Sequence, residues 1–513
     1  MKKSQLIDSA SLYYDHPQLL ELGEAIDFAT AKHAGQKRAS GEDYIVHPLS
    51  VAAILVDWGM DIDTVIAGIL HDTIEDTDTT TAEIESLFGR DVAFLVDGVS
   101  KVSQARAGMR DISSYLPATK DNLSKLLIAV GQDVRVIIIK LADRLHNLRT
   151  LEHLPHHKQL KIARESLEVF APLADRLNMG RVRVQIEELS FSYLQPREYK
   201  RLRKIIKDRL GKSHRKLATV RHHVDELLTQ HGITHSIDGR VKSVYSLYKK
   251  LKKVEQIDDI YDLIALRIIV QRKEDCYRVL GILHSEYQPM INRIKDYIAV
   301  PKPNGYQSLH TTIITRQKQI VEFQIRTEQM HEYAERGLAA SFHYNEQKLT
   351  DAYRKGQIQA MPAHLEWIGE LQEVAAKLAA GEETNVDQLK LDIFANRIFV
   401  YSPKGDIYDL PEGAFPLDYA YRIHSDIGKH AVGFKINNKM VPFDRQLHDG
   451  DVVEVLTKRT ARPKSDWLEL VRTAHAREKL RIQLKRLGAI ETMSQAAAII
   501  RDKAHRKKPR HDS

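Results

Sequence analysis

The chain has 513 residues, of which 43% are hydrophobic and 28% charged; that is enough for about three or four ordinary domains and excludes a disulfide-stapled miniprotein or a disordered chain. The mean hydropathy of −0.38 and the lack of any apolar run near ~20 residues argue against a membrane span. The opening MKKSQLIDSASLYYDHPQLLELGEA lacks the continuous apolar core of a secretory signal. A single cysteine, Cys276, excludes an intrachain disulfide and a thiolate cluster, so the expected compartment is the cytoplasm and any metal must be held by histidine and carboxylate. The net charge is +8, and Arg197 to Arg221 alone carries eleven Lys/Arg against Glu198 and Asp208. That stretch reads either as a solvated helix face or as a contact for a phosphate-rich ligand or RNA.

From Pro17 to about Tyr193, LLELGEAIDFATAKHA, VHPLSVAAILVDWG, IDTVIAGILHDTIED, VRVIIIKLADRLHNLRTL and KIARESLEVFAPLADRLN place apolar residues at three- and four-residue intervals, which predicts an all-α domain over residues 1–194. Beyond the basic helix, YDLIALRIIV and IVEFQIRT read as strands separated by the helical CYRVLGILHSEY, predicting an α/β domain over 195–345. A polar helical connector is expected at 346–388. Short strands joined by Pro-Lys-Gly and Asp-Gly turns then predict a small β-rich module at 389–458, followed by a basic helical tail at 459–513.

Two groups of residues carry chemistry. In the helical domain, His47, the adjacent His71 and Asp72, and Asp143 lie inside strongly apolar segments, where unpaired charge would cost several kcal/mol. A bound cation answers that cost, although an Asp143–Arg144 ion pair is a rival account of Asp143. Two His and two Asp leave positions open on a six-coordinate ion and suit Mn²⁺ or a similar divalent cation. Glu75 and Asp76 stand four positions after His71 and Asp72, one helical turn further along, where carboxylates can orient or deprotonate a water.

In the α/β domain, IVEFQIRT alternates, with Glu322, Gln324 and Arg326 on one face. Asp262, opening a strand beside Glu322, suits Mg²⁺ on a triphosphate. Arg240, Lys242, Ser246 and Lys250 outline a phosphate clamp, the last three on one face if SVYSLYKKLKK is helical. Tyr306, Gln307 and His310 supply an aromatic ring, an amide and an imidazole for a nucleotide. Neither GxxxxGK[ST] nor GxGxxG occurs. A solvated sheet surface is the plainer alternative for these residues.

Nine ordered segments, HAGQKRASGEDYIVHP, GILHDTIEDT, IIKLADRLHNLRT, APLADRLNMG, GRVKSVYSLYKK, DLIALRI, NGYQSLHTT, EFQIRT and FPLDYAYRIHSDIG, resemble the RelA/SpoT homologues that make and degrade the alarmone (p)ppGpp in the stringent response. The resemblance implies an HD-type hydrolase domain, a nucleotidyltransferase-like synthetase (pyrophosphokinase) domain and a β-grasp-like TGS domain. It implies Mn²⁺ on His47, His71, Asp72 and Asp143, an attacking water positioned by Glu75 and Asp76, and nucleotide contacts from Arg38, Arg144 and Asn147. In the synthetase it implies Mg²⁺ at Asp262 and Glu322, with Glu322 activating the 3′-hydroxyl of GDP or GTP. ATP phosphates would lie on Arg240, Lys242, Ser246 and Lys250, and guanine on Tyr306 with Lys302, Asn304, Gln307 and His310 nearby.

Arg293-Ile294-Lys295-Asp296 matches the basic form that resembles bifunctional members. Ala340-Ser341-Phe342-His343 departs from the family's AAHW, which favours an alternative in which the synthetase domain only senses nucleotide. Long members continue into further helical, Cys/His-rich and ACT segments, so a shortened C-terminal region is expected from the stop at Ser513. A tRNA or ribosome contact through the TGS module, with His424, and the basic tail is a further expectation; a non-catalytic RNA-binding regulator is the alternative from another class.

Overall fold

The computed structural model describes residues 1–107, 133–252, 264–302, 304–316, 318–337, 339 and 397–486. Asp262, Ser341-Phe342-His343, the connector expected at 346–388 and the chain beyond Arg486 lie outside the described residues. Two compact units divide the chain, Met1–Glu383 and Thr384–Ser513. Among the described residues no helix is long and apolar enough to cross a membrane.

The first unit begins with α1 (Lys3–Ala10), α2 (His16–Lys32), α3 (Val46–Trp58), α4 (Ile62–Leu70), α5 (Thr73–Asp76), α6 (Thr81–Ala107), α7 (Val134–Arg149), α8 (His156–Glu165), α9 (Ala171–Arg176) and α10 (Gly180–Leu194). Their ends follow local rules. Asp15 and Asp61 cap α2 and α4 by accepting from the backbone amides of Gln18 and Thr64, and Gly59 closes α3 in the left-handed region. Helices α4 and α7 are buried along almost their whole length, as expected for the largely apolar α4, whereas α7 carries buried charged side chains that need partners. Arg135 at the start of α7 is buried and held by Asp133 and Asp61.

Two expected helices are interrupted. The pattern IDTVIAGILHDTIED breaks at His71-Asp72, because His71 Nδ1 and the Thr73 hydroxyl take the carbonyls of Gly68 and Leu70 at the end of α4. KIARESLEVFAPLADRLN is divided by a π-helical turn, Ser166–Phe170, between α8 and α9.

The α/β part follows: α11 (Pro196–Gln230), β1 (His235–Val241), α12 (Val244–Leu251), β2 (Ile264–Val270), α13 (Lys273–Glu286), β3 (Gln288–Pro289), β4 (Lys295–Asp296), β5 (Leu309–Ile314), β6 (Ile320–Thr327) and α14 (Glu328–Arg336). The sheet order is β1-β2-β6-β5-β3, with β4 also on β5, and only β2 and β6 run parallel. One face packs Leu266, Ile268, Phe323 and Ile325 against Val224 and Leu228 of α11 and Val279 and Leu283 of α13. The other face is polar and points away from that core. On α11 the side chains of Lys200, Arg203, Lys204 and Lys207 are exposed, the solvated face that composition allowed.

The helical and α/β parts meet at the Leu177–Gly180 turn. Asn178 Nδ2 donates to the Tyr333 carbonyl at 3.1 Å, and Asn304 Nδ2 to the Asp175 carbonyl at 3.3 Å. Gly337 adopts φ +61°, and a Cβ there would lie 2.2 Å from the Leu177 carbonyl oxygen.

The second unit contains β7 (Arg397–Tyr401), β8 (Ile407–Pro411), α15 (Pro416–Ile423), α16 (Ser425–Lys429), β9 (Ala431–Ile436), β10 (Lys439–Val441), β11 (Val453–Thr457), α17 (Trp467–Leu470) and α18 (Ala474–Arg486). β7 and β8 pair antiparallel, and β9 lies between β10 and β11. The boundary expected at 458 cuts through one core: Trp467, Val471, Ala476, Leu480 and Leu484 pack with Leu417, Ala420, Tyr421 and Phe434. Asp418, fully buried, accepts from the amides of Phe415, Arg472 and Thr473 and from the Thr473 hydroxyl. That carboxylate ties α15 to the start of α18.

Gly337→Ala should lose at least ~2 kcal/mol, because the new methyl meets backbone and φ is positive. Gly281→Ala, inside α13 with nothing within 4 Å, should instead raise the thermal midpoint slightly, by a gain of about 0.4–1 kcal/mol; melting both variants by circular dichroism checks the contrast.

Candidate functional site

His47 enters from the first turn of α3, His71 and Asp72 from the break after α4, and Asp143 from the middle of α7. Ligand atoms of His47, His71 and Asp143 all lie within 4.8 Å of one another, and all three residues are buried. His47 Nε2 is 3.3 Å from Asp143 Oδ1 and 3.5 Å from Asp72 Oδ2, while His71 Nε2 is 3.1 Å from Asp72 Oδ2. The four residues expected to hold a metal therefore converge.

The donor set fits a cation. His71 Nδ1 donates to the Gly68 carbonyl at 2.8 Å, which leaves its buried Nε2 in no hydrogen bond and with a lone pair facing a carboxylate. Two electron pairs face each other stably only if a proton or a metal ion lies between them. The electrostatics agree. Burial alone pushes the His71 imidazole down, but the Asp72 and Asp143 carboxylates outweigh it and raise it. Burial keeps the His47 imidazole low despite the same carboxylates. Against the upward push of burial, Lys140, His47 and His71 hold the Asp143 carboxyl well below the usual range. The two imidazoles do the same for Asp72.

A cavity of about 550 Å³ opens onto this cluster. Arg38, Tyr44, Glu75, Asp76 and Asn147 line it with His47, Asp72 and Asp143. Asn147 donates to Asp143 and is itself oriented by Arg38 Nη2, 3.0 Å from Asn147 Oδ1. Arg144 is not among the lining residues. It is buried, donating to Glu165 at 3.1 Å and stacked 4.2 Å over the Phe170 ring. It pairs with Glu165, and the neighbouring Asp143 meets Lys140, Asn147 and the histidines. The break at His71-Asp72 means that Glu75 and Asp76 reach the cavity from the separate short helix α5.

Three residues at this site have no place in the sequence reading. Tyr44 directs its hydroxyl between Asp72 Oδ2 and Asp76 Oδ2, at 2.8 and 2.9 Å, and burial beside these anions pushes its phenol up. Lys140, buried, donates to Asp143 Oδ2 at 3.1 Å. His146 lies behind His47, with the two Nδ1 atoms 2.8 Å apart. A lysine within IIIKLAD was the readable signal, since a charge in so apolar a helix needs an anion three or four residues away.

On the polar face of the other sheet, Arg240 Nη1 donates to Gln324 Oε1 at 3.0 Å, and Gln324 Nε2 to Glu322 Oε1 at 3.0 Å. His310 Nδ1 is 3.6 Å from Glu322 Oε1, and Tyr306 OH is 2.9 Å from His310 Nε2. Lys302 Nζ lies 5.1 Å over the Tyr306 ring. Arg240, Glu322, His310, Tyr306 and Lys302 therefore form one connected group.

Helix α12 begins at Val244, capped by Ser243, so Ser246 and Lys250 are helical and Lys242 precedes the cap. The Ser246 hydroxyl lies 2.7 Å from Ser243 Oγ. Gln307 faces the Ile298 carbonyl and Asn304 the Asp175 carbonyl. The strip that could have been a solvated surface is covered: Gln324 and Arg326 are buried. Arg326 and Arg267 both pair with Glu335 at 3.2 Å, and Arg326 also donates to His331.

Residues 25–180 match the HD domain, 239–349 the region found in RelA / SpoT proteins and 398–457 the TGS domain. The guanosine-3′,5′-bis(diphosphate) 3′-pyrophosphohydrolase of Aquifex aeolicus is 40% identical over 96% of this chain and 69% of its own length. The chain belongs to the RelA/SpoT family. The bifunctional (p)ppGpp synthase/hydrolase SpoT of Escherichia coli K12 is 40% identical over 96% of this chain and 68% of its own. The GTP pyrophosphokinase of Myxococcus xanthus is 42% identical over 92% of this chain, which spans 61% of that relative's length. The family's architecture of a helical HD domain, an α/β synthetase domain and a TGS domain is the one seen here.

His310 provides a pH test. Burial, then Lys302 and Arg240, push its imidazole from 6.5 down to about 3. The unfolded chain therefore takes up a proton that the folded chain refuses, and the stabilisation present above pH 6.5 is lost as pH falls toward 3. Over that window the slope approaches 1.4 kcal/mol per pH unit, roughly the value of one proton. Urea midpoints of wild type and His310→Gln should converge or cross as pH falls; a constant difference would contradict a neutral His310.

Proposed function

We propose that this chain is a bifunctional alarmone enzyme of the cytoplasm. One site hydrolyses the 3′-pyrophosphate of (p)ppGpp with Mn²⁺; the other transfers pyrophosphate from ATP to the 3′-hydroxyl of GDP or GTP with Mg²⁺. The observation that carries the reading is the convergence of two imidazoles and two carboxylates at the base of a cavity, in a chain 40% identical to the bifunctional (p)ppGpp synthase/hydrolase SpoT of Escherichia coli K12.

In hydrolysis, His47, His71, Asp72 and Asp143 hold the divalent cation, which when bound polarises the scissile phosphate and offsets the charge that develops on it. Glu75 and Asp76 orient the attacking water and receive its proton. Tyr44 fixes Asp76 relative to Asp72 through its shared hydroxyl. Arg38 and Asn147 line the same cavity and meet the nucleotide. The water oxygen bonds to the scissile phosphorus as the bond from that phosphorus to the 3′-oxygen breaks, the proton taken up by Glu75 and Asp76 passes on to the 3′-oxygen, and pyrophosphate separates from GDP or GTP.

In synthesis, Glu322 accepts the proton of the 3′-hydroxyl, that oxygen attacks the β-phosphorus of ATP, and AMP leaves. Arg240, Lys242, Ser246 and Lys250 offset the phosphate charge and hold the groups in line, which is most of what phosphoryl transfer asks of a protein. Asp262 joins Glu322 in holding Mg²⁺. Tyr306 stacks on guanine, with Lys302, Asn304, Gln307 and His310 beside it. A tRNA or ribosome contact belongs to the same proposal, through the exposed His424 and the basic tail.

Asp72→Ala should abolish Mn²⁺-dependent ppGpp hydrolysis and spare AMP formation from ATP and GDP; Glu322→Ala should do the reverse, each by about 10³-fold or more. A chelator should remove hydrolysis and added Mn²⁺ restore it. Loss of both reactions in either variant, or of neither, counts against two separate sites.

A further inference from the structure

His47 faces the carboxylates through Nε2, and its other nitrogen, Nδ1, lies 2.8 Å from Nδ1 of His146. Two imidazole nitrogens at that distance share one proton, and its location decides what Nε2 can do. If His146 donates, His47 carries its own proton on Nε2 and can only donate to Asp143 and Asp72. If His47 donates, Nε2 presents the lone pair that a metal ion requires.

We infer that His146 is a positioning residue that receives the Nδ1 proton of His47 and so makes His47 a metal ligand. The inference rests on the proposed metal site. His71 shows the contrast: its Nδ1 meets the Gly68 carbonyl, a group that only accepts, so the main chain alone sets its tautomer. For His47 the same task falls to a side chain. His146 follows Asp143 by three residues on α7, so one helix supplies both a ligand and the orienting group of another.

His146 does not line the 550 Å³ cavity. Its ring borders a second cavity of about 330 Å³, with Trp58, Arg149 and Gln185. An effect of His146 on the metal therefore passes through His47 and involves no contact with anything in the first cavity. The second cavity also gives altered side chains room without crowding the core.

The test titrates Mn²⁺ into the chelator-stripped full chain, following free Mn²⁺ by electron paramagnetic resonance, for wild type, His146→Asn and His146→Phe, with circular dichroism melts of each. The Asn carboxamide oxygen can stand where Nδ1 stood and accept the proton; Phe fills the space and cannot. H146N should bind within about threefold of wild type, and H146F should bind about 10–100-fold more weakly. Should H146F fail to fold, H146A replaces it with the same expectation. Equal affinity in wild type and H146F or H146A overturns the inference, as does an H146N loss as large as that of H146F. Wild-type protein that binds no Mn²⁺ overturns the metal site itself.

Discussion

A carboxylate buried in an apolar helix is tolerable only if other groups answer its charge, and Asp143 imposes that demand on the whole helical domain. Lys140 and Asn147, one turn before and one turn after it, each give it a hydrogen bond. Two histidines from other elements close the remaining side. Meeting the demand requires α3, the end of α4 and α7 to come together at one point.

The α/β domain meets a similar problem on a sheet. Its polar face is mostly covered, so Glu322, Gln324 and Arg326 cannot rely on water. They are held in a lattice of mutual contacts in which Arg240 binds Gln324, Gln324 binds Glu322, and Glu335 joins Arg326 to Arg267. Burial and the surrounding cations keep His310 and His331 neutral, pushing them down to about 3 and about 4. The side chains of this face are thus fixed by one another through hydrogen bonds and ion pairs.

Much of this was legible in the residues, for reasons that differ by element. The period of α2 is set by one-sided burial, with Leu22, Ala25, Ile26 and Ala29 inward, and the residue spacing of α7 and the alternation of β6 are as plain in the sequence although both faces of each are buried. The convergence of His47, His71, Asp72 and Asp143 was legible because histidine and aspartate stand out against apolar neighbours. Arg144 was not, since its partner Glu165 is 21 residues away and reaches it through a π-helical turn that no local pattern announces. Lys242 was placed on a helix that Ser243 begins, because a cap and a first-turn serine look alike in SVYS. His146 was hidden by its resemblance to an ordinary polar position of an amphipathic helix; only the approach of α3, 99 residues away in sequence, gives it meaning.

The buried Asp418 has a practical consequence for handling the C-terminal module. Since most of its hydrogen bonds come from residues 472 and 473, a fragment ending at the last strand would leave this anion with the Phe415 amide alone and an apolar surface without its lid. Any excised version meant to be soluble should run at least through Arg486.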